Sequence, residues 1–161
     1  MAGKALRLLC VGKLKTVFWK EAANHYLERI GRMRPISVTE IRDADAALAP
    51  RARADEESAR LCAALESGDY PIALDEGGKT FTSGGFAEML AAIDQKALGR
   101  PCFIIGGPYG LGALSGGIRK AARITVSLSG LTWPHELARV LLLEQIYRAE
   151  CIRRKIPYHH H

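Results

Sequence analysis

The sequence predicts an α/β protein in which a mainly parallel sheet is flanked by helices. Short apolar segments alternate along the chain with longer amphipathic ones, which is the order of parallel strands joined by helical connections. The segment Pro101–Ile105 is apolar throughout, as expected for a strand covered on both faces. The chain has 161 residues, of which 48% are hydrophobic. This is enough for one sizeable core, and we predict a single domain over residues 1–161.

The apolar spacing predicts five strands. They are expected at Ala5–Val11, Ile36–Ile41, Pro71–Asp75, Pro101–Ile105 and Ile124–Leu128. The first helix is expected from Val17 to Arg32, because an apolar side chain recurs there at every fourth position. The second is the Ala/Arg/Asp/Glu-rich segment that ends near Leu65.

Two further helices are predicted from their start and stop signals. Ser83 is the expected N-cap of the third helix, and Gly99 is its stop. The last helix is expected from Pro134 to Ile152, with Thr132 as its cap and the proline in its first turn. Its Val140–Leu143 segment is apolar around the whole circumference, so it must be covered on more than one side. We expect a second subunit to supply part of that cover, and therefore a homodimer.

The composition excludes several classes of protein. No apolar run approaches the length of a membrane span, so we expect no contact with a membrane. The four cysteines form no C-x-x-C pair, and Cys10, Cys102 and Cys151 lie in apolar segments. Buried free thiols are therefore expected instead of a metal site or disulfides. Because no signal peptide precedes the first strand, we expect a cytoplasmic protein.

Basic residues are concentrated at both ends of the chain. Residues 1–34 contain eight Lys/Arg and two Glu, and residues 148–161 contain four Lys/Arg and one Glu. The middle, residues 35–147, has eleven basic and fourteen acidic side chains. Two basic ends on one surface would form a face that binds a polyanion. A solvated basic surface with no partner is the alternative.

A glycine-rich loop, Gly106–Gly112, follows the apolar strand at Pro101–Ile105. Glycine lets a backbone approach a ligand closely, and open α/β sheets bind ligands at the carboxyl ends of their strands. The common nucleotide motifs fail, however, because no G-x-x-x-x-G-K-[ST] occurs and Ser115 stands where G-x-G-x-x-G needs its last glycine. A cofactor loop and a set of tight turns therefore both remain open.

A second loop, Leu128–His135, joins the last strand to the last helix. Its small and apolar residues suit a neutral purine better than a phosphate. Neither loop contains lysine or arginine, which favours a positively charged or zwitterionic cofactor. His135, in the first turn of the last helix, is a candidate catalytic residue, with a loop-bracing role as the alternative. The sequence has no hydrolase motif of the G-x-S-x-G or H-E-x-x-H kind.

The C-terminal segment combines a basic cluster with an aromatic side chain and an imidazole. Arg153, Arg154 and Lys155 are followed closely by Tyr158 and His159. Guanidinium groups bind phosphates and tyrosine stacks on exposed bases, so this tail is a candidate RNA-binding segment. An ordinary charged terminus is the alternative.

Four ordered segments of the second half of the chain form a specific pattern. They are Ile105-Gly106-Gly107-Pro108-x-Gly110, then Leu128-Ser129-x-Leu131-Thr132-x-Pro134-His135, then Arg139-Val140-Leu141-Leu142-x-Glu144-Gln145-Ile146-Tyr147-Arg148-Ala149, and finally Pro157-Tyr158-His159. This pattern resembles the SPOUT-class ribosomal RNA large subunit methyltransferase H family. The resemblance runs from the first strand to the C-terminus.

The resemblance implies a domain with a deep trefoil knot near its C-terminus, working as a homodimer. Apolar spacing alone would not suggest a knot, because knots are essentially absent from ordinary topologies. The family transfers a methyl group from S-adenosylmethionine to N3 of a pseudouridine in large-subunit (23S) ribosomal RNA on the assembled ribosome. No metal ion is implied.

The resemblance also assigns residues. Those that would hold the cofactor are Leu74, Gly106, Leu128, Ser129, Gly130, Leu131, Thr132 and Trp133. Those on the substrate side, in part from the second subunit, would be His135, Arg139, Tyr158 and His159. We hypothesise that His135 or His159 removes the N3 proton and that Arg139 or Arg154 stabilises the resulting anion. The sequence departs from the family pattern at Tyr109 and Trp133.

Two rival functions remain open. One is a noncatalytic module that binds RNA or the ribosome through the basic ends of the chain. The other is a SPOUT methyltransferase that acts on transfer RNA. A ribosome-directed enzyme with so little RNA-binding surface should need the assembled particle, whereas an enzyme for transfer RNA should accept free RNA.

Overall fold

The computed structural model describes residues 3–113 and 116–160, and these form one five-stranded sheet with helices on both faces. The strands are β1 (Leu6–Val11), β2 (Ile36–Ile41), β3 (Asp69–Thr80), β4 (Arg100–Ile105) and β5 (Ile124–Ser127). The helices are α1 (Val17–Gly31), α2 (Pro50–Ala63), α3 (Ser83–Gln95), α4 (Gly117–Ala121) and α5 (His135–Arg153). The strand order is β2-β1-β4-β3-β5, and all four pairings are parallel. The predicted fold class is therefore confirmed.

The sheet is covered on both faces, which explains why β1 is apolar at every position except Arg7. Along β1, Leu6 and Leu8 belong to the core cluster with α1, α3 and α5, whereas Leu9 and Val11 face the opposite cluster with α2 and α4. Side chains alternate between the two faces of a strand. A strand with helices on both faces is therefore apolar at most positions, and the one charged side chain of β1, Arg7, is buried beside an ionic partner, Asp69.

Strand β3 is longer than predicted and carries an irregularity that helps to shape the end of the sheet. It continues five residues past Asp75, and its pairing with β5 shifts between Leu74 and Lys79. Gly78 permits the close approach of the two strands, because a Cβ there would lie 2.7 Å from the carbonyl carbon of Val126. Bulges of this kind redirect neighbouring side chains.

Two predicted helix caps are wrong. The N-cap of α3 is Thr82, whose Oγ1 accepts a hydrogen bond from Gly85 N at 3.0 Å, and Ser83 is the first helical residue. Thr132 does not cap α5, because Pro134 occupies the N-cap position. Helix α4 was not predicted, since five residues are too few to show a helical period.

Helix α5 is covered within its own chain. Leu142, Leu143 and Ile146 are fully buried, and the helix packs against α1, α3 and β4. Two helices and the sheet thus cover much of the apolar circumference, whereas Leu141 stays only partly buried within the chain. The homodimer itself stays a prediction, as does the trefoil knot.

The cysteines have the surroundings that their apolar segments predict. All four cysteines are free, and Cys10, Cys102 and Cys151 are buried as predicted. Burial raises the pKa of Cys10 and that of Cys102 to about 12, so neither thiol ionises at neutral pH. No helix in the described part of the chain is long and apolar enough to cross a membrane.

Candidate active site

A cavity of about 370 Å³ lies at the carboxyl ends of β4 and β5, beside the irregular part of β3. Its walls are the middle of β3, the glycine-rich loop after β4, the loop between β5 and α5, one side chain of α4 and the first turn of α5. The carboxyl ends of parallel strands share one edge of the sheet, and ligands of open α/β sheets bind there. The two loops that the sequence analysis singled out thus meet across one cavity.

Seven of the eight residues expected to hold a cofactor line this cavity. They are Leu74, Gly106, Leu128, Ser129, Leu131, Thr132 and Trp133. Gly130 is not among the lining residues, and it is exposed. Four of the seven, Leu74, Leu128, Leu131 and Trp133, are apolar.

The glycines of the first loop are needed for packing inside the chain. A Cβ at Gly106 would lie 2.6 Å from the carbonyl oxygen of Gly110, and a Cβ at Gly107 would overlap Glu57 Oε2 on α2. Gly110 and Gly112 have φ values of 82° and 78°, a region that favours glycine. The loop is therefore a set of tight turns and also the wall of a cavity, so the two alternatives are not exclusive.

Three charged side chains at the cavity were missed by sequence reasoning. Arg119 Nη2 donates to Asp75 Oδ1 at 2.9 Å, and Thr132 Oγ1 donates to Glu76 Oε2 at 2.7 Å. Neither loop contributes a basic side chain, but Arg119 reaches the cavity from α4. Its charge is balanced by Asp75. The position of Asp75 and Glu76 directly after the apolar part of β3 was a usable signal, whereas Arg119 had none.

His135 lines the cavity from the first turn of α5. The next residue, Glu136, fixes this end of the helix, since its Oε1 accepts from Lys15 N at 2.5 Å and its Oε2 accepts from Thr16 Oγ1 at 2.9 Å. Partial burial acts to raise the pKa of Glu136, but these hydrogen bonds outweigh it and lower the pKa below its ordinary value. The start of α5 is thereby tied to the start of α1.

The other residues expected on the substrate side lie elsewhere in the same chain. Arg139 is buried and its Nη1 lies 3.3 Å from Glu40 Oε2 on β2, outside the cavity lining. Tyr158 Oη donates to Glu144 Oε1 at 3.1 Å, and Arg148 Nη1 lies 3.2 Å from His159 Nδ1. Burial and neighbouring hydrogen bonds raise the pKa of Tyr158.

The tail is held near the far end of α5. Arg148 comes thirteen residues after His135 on this helix, which is about 20 Å of helical rise. Within one chain the structure therefore brings only His135, of the four predicted substrate-side residues, to the cavity. Tyr158 and His159 instead form a cluster with Glu144 and Arg148.

The basic residues of the tail differ in what they offer to a polyanion. Arg153 pairs with Asp94 at 2.8 Å and with Glu150 at 2.9 Å, so its guanidinium is already engaged. Arg154 Nη2 donates to the carbonyl oxygen of Met33 at 2.5 Å. Lys155 is exposed, with a left-handed φ of 57°. In the described part of the chain, no group of three or more His, Cys, Asp and Glu side chains could hold a metal ion.

The parallel sheet with a cavity between two loops at its carboxyl edge places the chain in the α/β class that binds ligands at strand ends. Residues 5–159 match the family described as "Predicted SPOUT methyltransferase", and the chain belongs to this family. This confirms the resemblance drawn from the four ordered segments.

Similar proteins from three bacteria carry the name "Ribosomal RNA large subunit methyltransferase H". The protein of Desulfovibrio desulfuricans is 54% identical over 99% of this chain and 100% of its own length. The protein of Nitratidesulfovibrio vulgaris is 52% identical over 98% of this chain and 99% of its own length. The protein of Oleidesulfovibrio alaskensis is 48% identical over 98% of this chain and 99% of its own length.

Proposed function

We propose that this chain uses S-adenosylmethionine to methylate N3 of a pseudouridine in large-subunit ribosomal RNA on the assembled ribosome. The cavity between the two loops is the observation that carries the proposal. Its 370 Å³ falls in the range of small-molecule sites. The names of relatives that match nearly the whole chain support the substrate class. An enzyme that acts on ribosomes works in the cytoplasm.

The residues around the cavity fit a zwitterionic sulfonium cofactor. The backbone of Gly106 and of residues 128–133 offers N–H and C=O groups, and Leu74 and Trp133 offer apolar walls. The single arginine among the lining residues is balanced by Asp75 at 2.9 Å. A triphosphate would leave its charge without a cation, whereas a cofactor with both signs of charge does not.

S-adenosylmethionine supplies a methyl group activated by the positive charge of its sulfonium. The chain must then orient the target base and take up the N3 proton. His135 is the candidate base, because it is the histidine that lines the cavity and a base must lie within reach of the proton it removes. Arg139 is a weaker candidate for stabilising the resulting N3 anion, since its charge is already opposed by Glu40. Exclusion of water and orientation supply most of the remaining rate enhancement.

The tail residues Tyr158 and His159 enter this proposal through a second subunit. The residues they contact, Glu144 and Arg148, lie about 14 Å and about 20 Å along α5 from His135. We propose a homodimer in which the tail of one subunit completes the cavity of the other. Lys155 and Arg154 would then contact ribosomal RNA beside the target base.

The test is transfer of an isotopically labelled methyl group. The purified protein is mixed with labelled S-adenosylmethionine and either ribosomes lacking the modification, free ribosomal RNA or bulk transfer RNA, and the label is mapped by mass spectrometry. Label on one large-subunit pseudouridine, with ribosomes only, is the expected result. Label on transfer RNA alone would overturn the proposed substrate assignment. Ribosome binding without methyl transfer would identify a noncatalytic module.

A further inference from the structure

A buried carboxylate lies directly behind the glycine-rich wall of the cavity. Glu57, on α2, is fully buried. Its Oε1 accepts a hydrogen bond from Ala44 N at 3.0 Å, while its Oε2 has no hydrogen-bond partner among residues 3–113 and 116–160. This second oxygen is so close to Gly107 that a Cβ on the glycine would overlap it. Gly107 in turn lines the cavity.

The position of Glu57 relative to the cavity is set by its neighbours on α2. Asp55 Oδ1 accepts a hydrogen bond from Ala113 N at 2.8 Å, and Ser58 Oγ accepts one from Ile118 N at 2.9 Å. Helix α2 therefore holds both the glycine-rich loop and the start of α4. A charge on this helix keeps a constant distance from the cavity.

Glu57 also differs in its surroundings from the other acidic side chains at the cavity. Asp75 is paired with Arg119 at 2.9 Å, and Glu76 is exposed to solvent. In the described part of the chain, no basic nitrogen lies within ion-pair distance of Glu57. A cation bound in the cavity would therefore be the counterion that the carboxylate of Glu57 lacks, and the buried surroundings would screen their attraction little.

We propose that Glu57 determines the charge preference of the cavity, stabilising the cationic sulfonium of S-adenosylmethionine from behind Gly107. The inference rests on the proposed function. Methyl transfer breaks the S–CH₃ bond as the N3–CH₃ bond forms, and the remaining S-adenosylhomocysteine is a neutral thioether. The attraction from Glu57 is therefore lost with the methyl group, which favours release of the product and binding of a new donor.

The test compares two ligands that differ only in the methyl group and the charge it carries. The dissociation constants of S-adenosylmethionine and S-adenosylhomocysteine are measured by calorimetry for the wild-type protein and for Glu57→Gln, which keeps the shape of the side chain. Glu56→Gln is the matched control, because Glu56 is the preceding residue but is half-exposed and pairs with Arg60. Circular dichroism establishes that each variant is folded.

We expect Glu57→Gln to weaken the binding of S-adenosylmethionine about fivefold or more, while the affinity for S-adenosylhomocysteine changes little. The control should change neither affinity. Equal weakening of both ligands would mean that Glu57 only supports the loop, and an unchanged ratio would overturn the inference. Should Glu57→Gln not fold, Glu57→Met gives the same readout, since methionine has a similar length and removes the buried oxygen that has no hydrogen-bond partner.

Failure of the proposed function is distinguishable from failure of this inference. A wild-type protein that neither binds S-adenosylmethionine nor methylates ribosomes would overturn both. A wild-type protein that methylates ribosomes, together with a Glu57→Gln variant of unchanged ligand ratio, would overturn this inference alone.

Discussion

Thr132 donates a hydrogen bond from its Oγ1 to Glu76 Oε2 at 2.7 Å, and this bond joins two sides of the cavity. Glu76 lies in the irregular part of β3, and Thr132 lies 56 residues later in the loop before α5. Both residues are exposed, so the bond contributes little to the stability of the fold. Its consequence is local, since it restrains the loop that faces Gly106.

Replacing Thr132 with valine should weaken the binding of S-adenosylmethionine about three- to tenfold, because the loop loses its restraint and one net hydrogen bond. The melting temperature should stay within about 2 °C of wild type. Thr132→Ser, which keeps the hydroxyl, is the control and should bind normally. Calorimetry measures the affinity, and equal affinities in all three proteins would show that the bond does not order the site.

Gly106 and Gly130 should respond very differently to alanine. A Cβ at Gly106 would lie 2.6 Å from the backbone oxygen of Gly110, which cannot move without reshaping the loop, whereas nothing lies within 4 Å of a Cβ at Gly130. Gly106→Ala should therefore reduce the affinity for S-adenosylmethionine by about tenfold or more, and Gly130→Ala should not. A strong loss in Gly130→Ala would support the prediction that this residue contacts the cofactor.

The buried carboxylate of Asp69 should matter more for folding than for the site. Arg7 Nη1 lies 2.7 Å from Asp69 Oδ2, and Arg100 Nε donates to Asp69 Oδ1 at 2.8 Å. Asp69→Ala leaves the buried Arg7 without this partner and should lower the free energy of unfolding by about 3 kcal/mol. Glu66→Ala, which removes a carboxylate 63% exposed from the same cluster, should cost less than about 1 kcal/mol. Urea unfolding at pH 7 measures both.

The same residue predicts part of the acid sensitivity of the fold. Burial acts to raise the pKa of Asp69, but hydrogen bonds from Glu66 N, Arg100 and Arg7 outweigh it and lower the pKa below its ordinary value. A carboxyl with a lowered folded pKa stabilises the fold above its ordinary pKa of about 4, and this stability is lost as the pH falls through the folded value. Between pH 6 and about pH 3, Asp69→Asn should therefore lose less stability than wild type. Parallel acid dependences of the two proteins would contradict this.

A dimer with shared cavities predicts that two inactive variants restore each other. His135→Ala removes a cavity residue, and Tyr158→Ala removes a tail residue from the other end of α5. If the tail completes the partner's cavity, half of the sites in a mixed dimer are intact, so equal mixing should recover about a quarter of wild-type activity. Subunit exchange is verified by mass spectrometry of the mixture. No recovery after verified exchange would mean that each subunit builds its own site.

The order and type of the main elements follow from local sequence. Apolar periodicity predicted all five strands, including the bounds of β2 at Ile36–Ile41, because burial on one or both faces leaves a direct mark on the residue pattern. Features that depend on one or two residues were less accessible. The shift from Ser83 to Thr82 as a cap and the five residues of α4 are examples.

For the candidate site, the sequence by itself determined the two loops and their scarcity of charge, since glycine content and the absence of lysine and arginine are properties of composition. Only the tertiary structure decided which distant side chains join them. Asp75 and Arg119 are 44 residues apart. Glu57 contacts Gly107 from α2, a helix that comes before both β3 and β4 in the chain. Such contacts form when parallel strands bring their carboxyl ends to one edge and helices pack behind them, and no local pattern encodes that distance.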